Sequence, residues 1–192
     1  SMQFDAPSRG FSFRRDEPLD MRMDQSRGET AAERLASVSE TDLADVIYRF
    51  GEERKSRRVA RAIVMARERE AITTTGQLAA IVRRAVAARD WQRIDPATRT
   101  FQALRIWVNG ELDRLDEFIR RVAVRLATGG RMVVISFHSL EDRIVKHTLR
   151  ALDRGEGVVR VLTGRPLVAS EDEIALNPRA RSAKLRAAER LA

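Results

Sequence analysis

The sequence predicts an α/β protein in which a helical segment precedes the second half of a doubly wound sheet. A short apolar run at residues 132–137 follows the pair Gly129–Gly130 and is typical of a buried parallel strand. A helical pattern at residues 140–152 and another apolar run at residues 158–162 come next, in the order of a strand–helix–strand crossover. Upstream of residue 95, apolar residues recur every three or four positions, which indicates amphipathic helices.

Residues 1–29 are expected to form an ordered loop that packs on another part of the chain. They carry few helix signals, because prolines and glycines interrupt them at Pro7, Gly10, Pro18 and Gly28. Scattered apolar side chains would anchor this loop, among them Phe11, Phe13, Met21 and Met23.

Residues 30–94 are predicted to contain three amphipathic helices. Thr41 is expected to cap the first helix, which ends at Gly51. The third helix begins in the threonine cluster at residues 73–75. The apolar positions of the three helices are Leu43, Val46, Ile47 and Phe50, then Val59, Ile63 and Val64, then Leu78, Ile81, Val82 and Ala85.

Residues 95–192 hold the predicted sheet. Asp95 and Pro96 are an N-cap followed by a proline at the first helical position. Apolar residues then recur from Phe101 to Leu126, which predicts one helix of about eight turns ending at Gly129–Gly130. Residues 185–188 are a weaker strand candidate.

Two polar residues follow the first predicted strand, where open α/β sheets bind their ligands. His138 is interpreted either as a site residue or as a hydrogen-bonded structural histidine. Ser139, with Asp142 three residues later, is interpreted as the N-cap of the next helix rather than as a nucleophile. Neither His138 nor His147 suggests a metal site.

The composition favours a protein of the cytoplasm. The chain has 192 residues, which suits one or two small domains, and 43% of them are hydrophobic, which is enough for a core. No apolar run reaches the roughly 18 residues of a transmembrane helix, and no secretory signal pattern is visible. The absence of cysteine excludes disulfides and thiol catalysis and fits a reducing compartment.

The charge favours a polyanionic partner. The net charge is +8, and all but three of the 36 basic residues are arginine. Arginine binds phosphates through a bidentate fork and stacks on bases, although a GC-rich genome would produce the same bias. Four arginines cluster at the second predicted helix and form either a solvated surface or an RNA contact: Arg54, Arg57, Arg58 and Arg61.

Five long stretches of the sequence are specific in residue type and order. The most specific reads G-G-R-M-V-V-I-S-F-H-S-L-E-D-R at residues 129–143. The others are R-G-F-S-F-R-R-D-E-P-L-D-M-R-M-D (9–24), Y-R-F-G-E-E-R (48–54), D-P-A-T-R-T-F-Q-A-L-R-I-W-V-N-G-E-L (95–112) and N-P-R-A-R-S-A-K-L-R-A-A-E-R (177–190). Together they make nearly the whole chain resemble the bacterial small-subunit rRNA cytosine-N4 methyltransferase family.

The resemblance implies the second half of a Rossmann-like S-adenosylmethionine methyltransferase sheet with an inserted all-helical domain. Residues 1–29 would be an active-site loop, residues 30–94 the inserted substrate-recognition domain, and residues 95–192 the C-terminal part of the methyltransferase domain. The last two strands would form an antiparallel pair. The family's glycine-rich cofactor loop is not in this sequence, so the chain is expected to be a C-terminal portion.

The resemblance also implies a reaction and a set of site residues. A methyl group would pass from S-adenosylmethionine to the N4 amine of a cytidine in small-subunit (16S) ribosomal RNA, with no metal, on the rRNA or the small ribosomal subunit. Gln3 would contact the cofactor. Asp20 and Asp24 would be catalytic, Arg22 would bind RNA in the same cleft, and His138 would act on the substrate side.

Two other functions remain open at this point. One is a non-catalytic RNA-binding or interaction module left by truncation, which cofactor binding would separate from an enzyme. The other, a DNA-binding helical protein, is disfavoured because such a protein has no need of a buried strand at residues 132–137. A homodimer is a further expectation.

Overall fold

The computed structural model describes residues 8–86 and 95–191. The chain divides into two compact units, Ser1–Glu111 and Leu112–Ala192. The boundary between the units therefore falls at residue 111, whereas the sequence predicts a domain boundary at residue 94. Among the described residues, no helix combines the length and apolar character needed to cross a membrane.

The first unit is a helical bundle with one apolar core. Its helices are α1 (Ala31–Ser37), α2 (Glu40–Gly51), α3 (Ser56–Arg67), α4 (Thr75–Val86) and α5 (Ala97–Asn109). The predicted apolar positions Leu43, Ile47, Val59, Ile63, Leu78 and Val82 are all fully buried in this core. The three helices predicted within residues 30–94 are thus confirmed as α2, α3 and α4, and α1 is a further helix that was not predicted.

The N-terminal ends of these helices depend on short polar side chains. Thr30 and Glu33 form a capping box on α1. Ser39, not the predicted Thr41, caps α2, because its side chain accepts from the Asp42 N–H at 3.0 Å. Asp95 does act as a cap, since its Oδ1 accepts from the Ala97 N–H at 2.8 Å.

Residues 8–29 form the ordered loop that the sequence predicts. Leu19 and Met21 are fully buried among the helices, and the Leu19 N–H donates to the Thr73 carbonyl at 2.9 Å. Gly10, at φ +71°, makes a close approach possible, because a Cβ there would lie 2.5 Å from the Pro18 carbonyl oxygen. The loop is therefore a fixed part of the first unit.

The single helix predicted from Phe101 to Leu126 is wrong. Helix α5 ends at Asn109, and Gly110 takes a left-handed conformation at φ 59°. The Asn109 amide turns back onto the loop, donating to the Met21 carbonyl and accepting from the Met23 N–H at 2.8 and 2.7 Å. The Asn109–Gly110 pair is a turn signal, but the apolar pattern continues across it and therefore predicts an uninterrupted helix.

In its described residues, the second unit contains three α-helices and four strands. Its elements are α6 (Leu115–Ala123), β1 (Arg131–Ser136), α7 (Ser139–Arg150) with a π-helical turn (Ala151–Gly155), β2 (Val159–Val161), β3 (Leu167–Val168), α8 (Glu171–Leu176), a 3₁₀ turn (Pro178–Ser182) and β4 (Lys184–Arg190). A second core lies between the sheet and the two longer helices, and includes Ile119, Val145, Leu149, Leu152, Val159 and Ala188.

Strand β4 is the centre of the sheet. It pairs antiparallel with β1 along its whole length and with β2 and β3 on its other side. Because β1 and β2 are both antiparallel to β4, they run in the same direction, with α7 between them in sequence. The crossover and the antiparallel last strand are thus confirmed. The predicted parallel pairing of β1 is wrong for the described residues, where β4 is its partner.

The sheet buries only one of its faces in the described part of the chain. Met132 and Ser136 of β1 point into the second core, whereas Val133 and Ile135 are 57% and 54% exposed. Opposite Ile135 stands Leu185 of β4, and beyond it Leu167 of β3 is 61% exposed. Val133, Ile135, Leu167 and Leu185 are called the open face. One face of β1 is therefore buried, and the other is uncovered in the described residues.

Candidate functional site

The carboxyl end of β1 leads directly into the capped start of α7. His138 has an extended backbone, and its Nδ1 accepts from the Glu141 N–H at 3.3 Å. The Glu141 carboxylate in return accepts from the Phe137 and His138 N–H groups at 2.9 and 3.3 Å. This is a capping box with histidine in place of serine. The prediction that Ser139 is the cap is wrong, because Ser139 is the first helical residue.

The capping hydrogen bond determines which tautomer the neutral His138 ring adopts. Since Nδ1 accepts a hydrogen bond, the proton of the neutral ring belongs on Nε2. Only 7% of the side chain is exposed, and Nε2 lies 3.3 Å from Glu141 Oε1 in an orientation that forms no hydrogen bond. Burial raises the pKa of Glu141, but the adjoining His138 side chain and the hydrogen bonds from the Phe137 and His138 N–H groups outweigh it and lower the pKa overall. The site thus presents a buried N–H donor beside a carboxylate.

We expect His138→Ala to lower the free energy of unfolding by about 1 kcal/mol, because it removes the cap of α7. Ser139→Ala should change it by much less. His138→Asn is the informative partner variant, since asparagine is a strong N-cap but has no imidazole. Urea denaturation of the three variants measures these differences. Equal losses for His138→Ala and Ser139→Ala would contradict the capping geometry.

Asp142, one turn into α7, is tied to the central strand. Its carboxylate accepts two hydrogen bonds from Arg186 of β4, at 2.6 and 3.0 Å, and both residues are buried. Lys184 Nζ lies 3.7 Å from the same carboxylate. The hydrogen bond from Arg186 lowers the pKa of Asp142, and the charges of Arg186 and Lys184 add to this effect. The pair therefore fixes the His138 end of α7 against the sheet.

In the first unit, the loop residues Asp20 and Arg22 bind each other. Asp20 Oδ1 accepts from Arg22 Nε and the Arg22 N–H, and Oδ2 accepts from Arg22 Nη2 and Gln25 Nε2, all at 2.7–3.1 Å. Burial raises the pKa of Asp20, but these hydrogen bonds outweigh it and lower the pKa overall. Four donors fill the acceptor positions of a carboxylate. Asp20 could therefore accept from a substrate only after Arg22 or Gln25 had moved.

Asp24 occupies a more exposed turn of the same loop. Its Oδ1 accepts from the Ser26 hydroxyl and N–H at 2.6 and 3.0 Å, and its Oδ2 pairs with Arg27 at 2.9 Å. These hydrogen bonds from Ser26 lower the pKa of Asp24. Half of the Asp24 side chain is exposed, so its second oxygen can still reach a ligand.

The predicted RNA-binding arginines share the exposed side of α3 and the turn before it. Ser56, Val59, Ala60 and Ile63 occupy the buried side of this helix. Within the described ranges, no hydrogen bond or ion pair engages the guanidinium groups of the four exposed residues, which are called the arginine face: Arg54, Arg57, Arg58 and Arg61. Arg22, Arg34 and Arg105 differ, because loop and helix-end groups already bind them.

The structure brings some predicted site residues together. Asp20, Arg22 and Asp24 lie in one loop of the first unit, and the arginine face lies on α3 of the same unit. His138 lies in the second unit. Gln3 falls outside the described residues. Sequence reasoning missed the Asp142–Arg186 pair, although an arginine at an inward position of the strand at residues 184–190 was a visible signal.

Comparison with known proteins defines the class of this chain as a methylase. The sequence matches the MraW methylase family over residues 1–191, and the chain belongs to that family.

In the aligned regions, more than half of the residues are identical between this chain and its curated relatives. It is 56% identical over 190 residues to "Ribosomal RNA small subunit methyltransferase H" of Acidobacterium capsulatum, covering 99% of this chain and 63% of that protein. Proteins of the same name from Sorangium cellulosum and a Cyanothece strain are also 56% identical, over the whole chain and 59% and 62% of their own lengths. The chain thus spans about three fifths of the relatives it matches.

Proposed function

We propose that this chain is part of a cytoplasmic methyltransferase that transfers a methyl group from S-adenosylmethionine to the N4 amine of a cytidine in small-subunit ribosomal RNA. The arginine face, in a chain of the MraW methylase family, is the observation that carries the proposal. The names of the relatives supply the substrate class.

The arginine face supports RNA binding because no acceptor or carboxylate of the described residues neutralises its guanidinium groups. Four guanidinium groups within eight residues repel one another unless an anion lies between them. Arginine binds phosphate oxygens bidentately, and phosphate contacts position RNA without reading its sequence. The helical unit would thus hold the RNA, and other residues would select the base.

The arginine face predicts a strong salt dependence of RNA binding. In Arg57→Gln/Arg61→Gln, the slope of log affinity against log salt concentration should fall by roughly 1.5–2. The loss should be similar for RNAs of different sequence. Fluorescence anisotropy with a labelled small-subunit rRNA fragment measures it. Arg121→Gln/Arg181→Gln, two exposed positions of the second unit, is the charge-matched control. If Arg57→Gln/Arg61→Gln leaves the slope unchanged, the arginine face is a solvated surface that does not contact RNA.

The described residues do not themselves build a site for S-adenosylmethionine. Such cofactors are usually held where a glycine-rich turn joins a strand to a helix N-terminus. In residues 8–86 and 95–191, the strand-to-helix turn after β1 reads S-F-H-S and has no glycine. The cofactor supplies an electrophilic methyl group when bound. Gln3 is the residue proposed to contact it.

The residues of this chain would act on the cytosine. Its N4 amine is a weak nucleophile, because the lone pair is delocalised into the ring, so positioning and hydrogen bonding dominate the rate. The base must also leave its stack to enter a pocket. We propose that His138 Nε2–H, in the second unit, donates to an oxygen or ring nitrogen of the substrate base. In the first unit, Asp20 and Asp24 are proposed as catalytic hydrogen-bond acceptors, and Arg22 of the same loop as an RNA contact.

The sheet supports the Rossmann-like part of the proposal. Strands β1 and β2 run in the same direction with α7 between them, and β4 returns antiparallel. In the described residues, the outer edge of β1 has no strand partner. A further strand there would extend the sheet in the direction that a doubly wound fold requires.

A non-catalytic RNA-binding module is the second candidate, favoured by the strand-to-helix turn after β1, which has no glycine. Calorimetric titration of S-adenosylmethionine into this chain and into a full-length relative separates the two. Heat of binding with both proteins supports an enzyme in which this chain contributes to the cofactor site. Binding to the relative alone, with RNA binding by both, supports the module.

A further inference from the structure

The second unit contains a small cavity with a strongly basic lining. It has a volume of about 150 Å³ and lies between the C-terminal half of α7, the π-helical turn and the segment after β2. Small-molecule pockets usually measure roughly 300–1,000 Å³, so this one suits a single chemical group. Its polar lining consists of Lys146, Arg150, Asp153, Arg154, Thr163 and Arg186.

Three of the four cations in this lining form no hydrogen bond or ion pair in the described part of the chain, although the charge of Lys146 helps to lower the pKa of Asp142. Arg186 is already bound by Asp142. Lys146, Arg150 and Arg154 make neither a hydrogen bond nor an ion pair with residues 8–86 or 95–191. The lining carboxylate, Asp153, is turned to the Val161 N–H at 3.4 Å. An anion in the cavity would relieve the mutual repulsion of these cations.

The opposite wall of the cavity offers a neutral donor. Thr163 Oγ1 accepts from the Ala187 N–H at 3.0 Å. Because the hydroxyl oxygen is occupied as an acceptor, its hydrogen is free to donate into the cavity. A ligand here would meet cations on the α7 side and a hydroxyl donor on the strand side, which is the donor set that phosphate oxygens require.

The backbone of the wall is unusual. Helix α7 continues into a single π-helical turn at Ala151–Gly155, and such turns are rare and concentrate at functional sites. The turn carries Asp153 and Arg154 into the cavity wall. Cations at a helix C-terminus also offset the helix dipole. That role accounts for Arg150 and Arg154, whereas the charge of Lys146, a full turn earlier, acts on the Asp142 carboxyl.

We propose that this cavity binds a phosphate group, and that in the working protein it is a phosphodiester of the RNA backbone. The identity of the RNA rests on the proposed function, whereas the anion site rests on the cavity alone. The site would add a second RNA contact, in the unit that carries His138, to the contact made by the arginine face.

The RNA arm of the test compares Lys146→Gln/Arg150→Gln with the charge-matched control Arg121→Gln/Arg181→Gln. All four side chains are at least partly exposed, and thermal melting verifies that both variants fold. In anisotropy titrations with single-stranded RNA, the cavity variant should lower the salt slope by about 0.7, the value for one phosphate, and the control should not. An equal change in both variants, or in neither, overturns the assignment to RNA.

The second arm uses inorganic phosphate as the probe. In ¹H–¹⁵N spectra of the parent protein, millimolar phosphate should shift the backbone amides of residues 150–164, and chloride at equal ionic strength should not. The cavity variant should lose these shifts. Absence of shifts in the parent overturns the site. Shifts in a protein that does not bind RNA would refute the proposed function while supporting an anion site, so the two failures are distinguishable.

Discussion

Replacement of Asp142 by alanine is expected to lower the free energy of unfolding by about 3–5 kcal/mol. Arg186, its partner, is 7% exposed and donates two hydrogen bonds to the carboxylate. Without Asp142 its charge would stay buried without its main partner, and this penalty exceeds the value of the lost bonds. Urea denaturation at neutral pH, followed by circular dichroism, measures the loss.

Two variants control this experiment. Glu117→Ala removes an exposed carboxylate of α6 that pairs with Arg114 at 2.9 Å, and should cost less than about 1 kcal/mol. Asp142→Leu/Arg186→Met removes both buried charges and should recover much of the stability. If Asp142→Ala unfolds at the same urea concentration as Glu117→Ala, the buried pair does not stabilise the fold.

The same pair predicts an acid-sensitive component of stability. Because folding lowers the pKa of Asp142, the pair stabilises the protein fully above the unfolded pKa, about 3.9. This contribution is lost as the pH falls through the folded pKa. The difference in unfolding free energy between the parent and Asp142→Asn should therefore shrink below pH 4 and stay constant from pH 5 to 7.

The chain by itself is expected to self-associate through the open face of the sheet. Val133 and Ile135 are more than half exposed on a strand whose outer edge has no partner among the described residues. Burying each such side chain contributes about 2 kcal/mol. Val133→Lys/Ile135→Lys should thus weaken association by roughly a thousandfold. Sedimentation velocity over a concentration series measures it.

The control for self-association places the same charges elsewhere in the second unit. Val124→Lys/Leu176→Lys changes two apolar residues that are 54% and 89% exposed and lie outside the sheet. It should leave the sedimentation profile close to that of the parent. If the parent chain stays monomeric at every concentration, the open face does not mediate self-association.

Much of the fold could be predicted from the sequence because apolar periodicity reports burial. The buried positions of α2, α3 and α4 follow the 3.6-residue period, and the run at β1 followed by a helix correctly indicates a crossover. The predicted helix from Phe101 to Leu126 failed because the pattern continues across Asn109–Gly110. There, hydrogen bonds to Met21 and Met23, distant in sequence, decide where α5 ends.

The site was less predictable, because its geometry depends on partners far apart in sequence. The motif around His138 located a strand end, yet the residue that caps α7 is His138 and not Ser139, since the cap is decided by backbone conformation. From the sequence, Arg22 and Arg54 are both predicted to bind RNA, and nothing in the sequence distinguishes them. Only the structure shows that Asp20 already binds Arg22, whereas Arg54 has no such partner in the described ranges.

The position of β4 in the sheet fixes an order of events during synthesis. Every other strand of the described residues pairs with β4, yet β4 is translated after all of them. The pairings of β1, β2 and β3 with β4 must therefore wait until residues 184–190 leave the exit tunnel. The helical first unit depends on contacts within residues already made and can fold earlier. A nascent chain stalled just before Lys184 would carry a finished bundle and an unfolded tail.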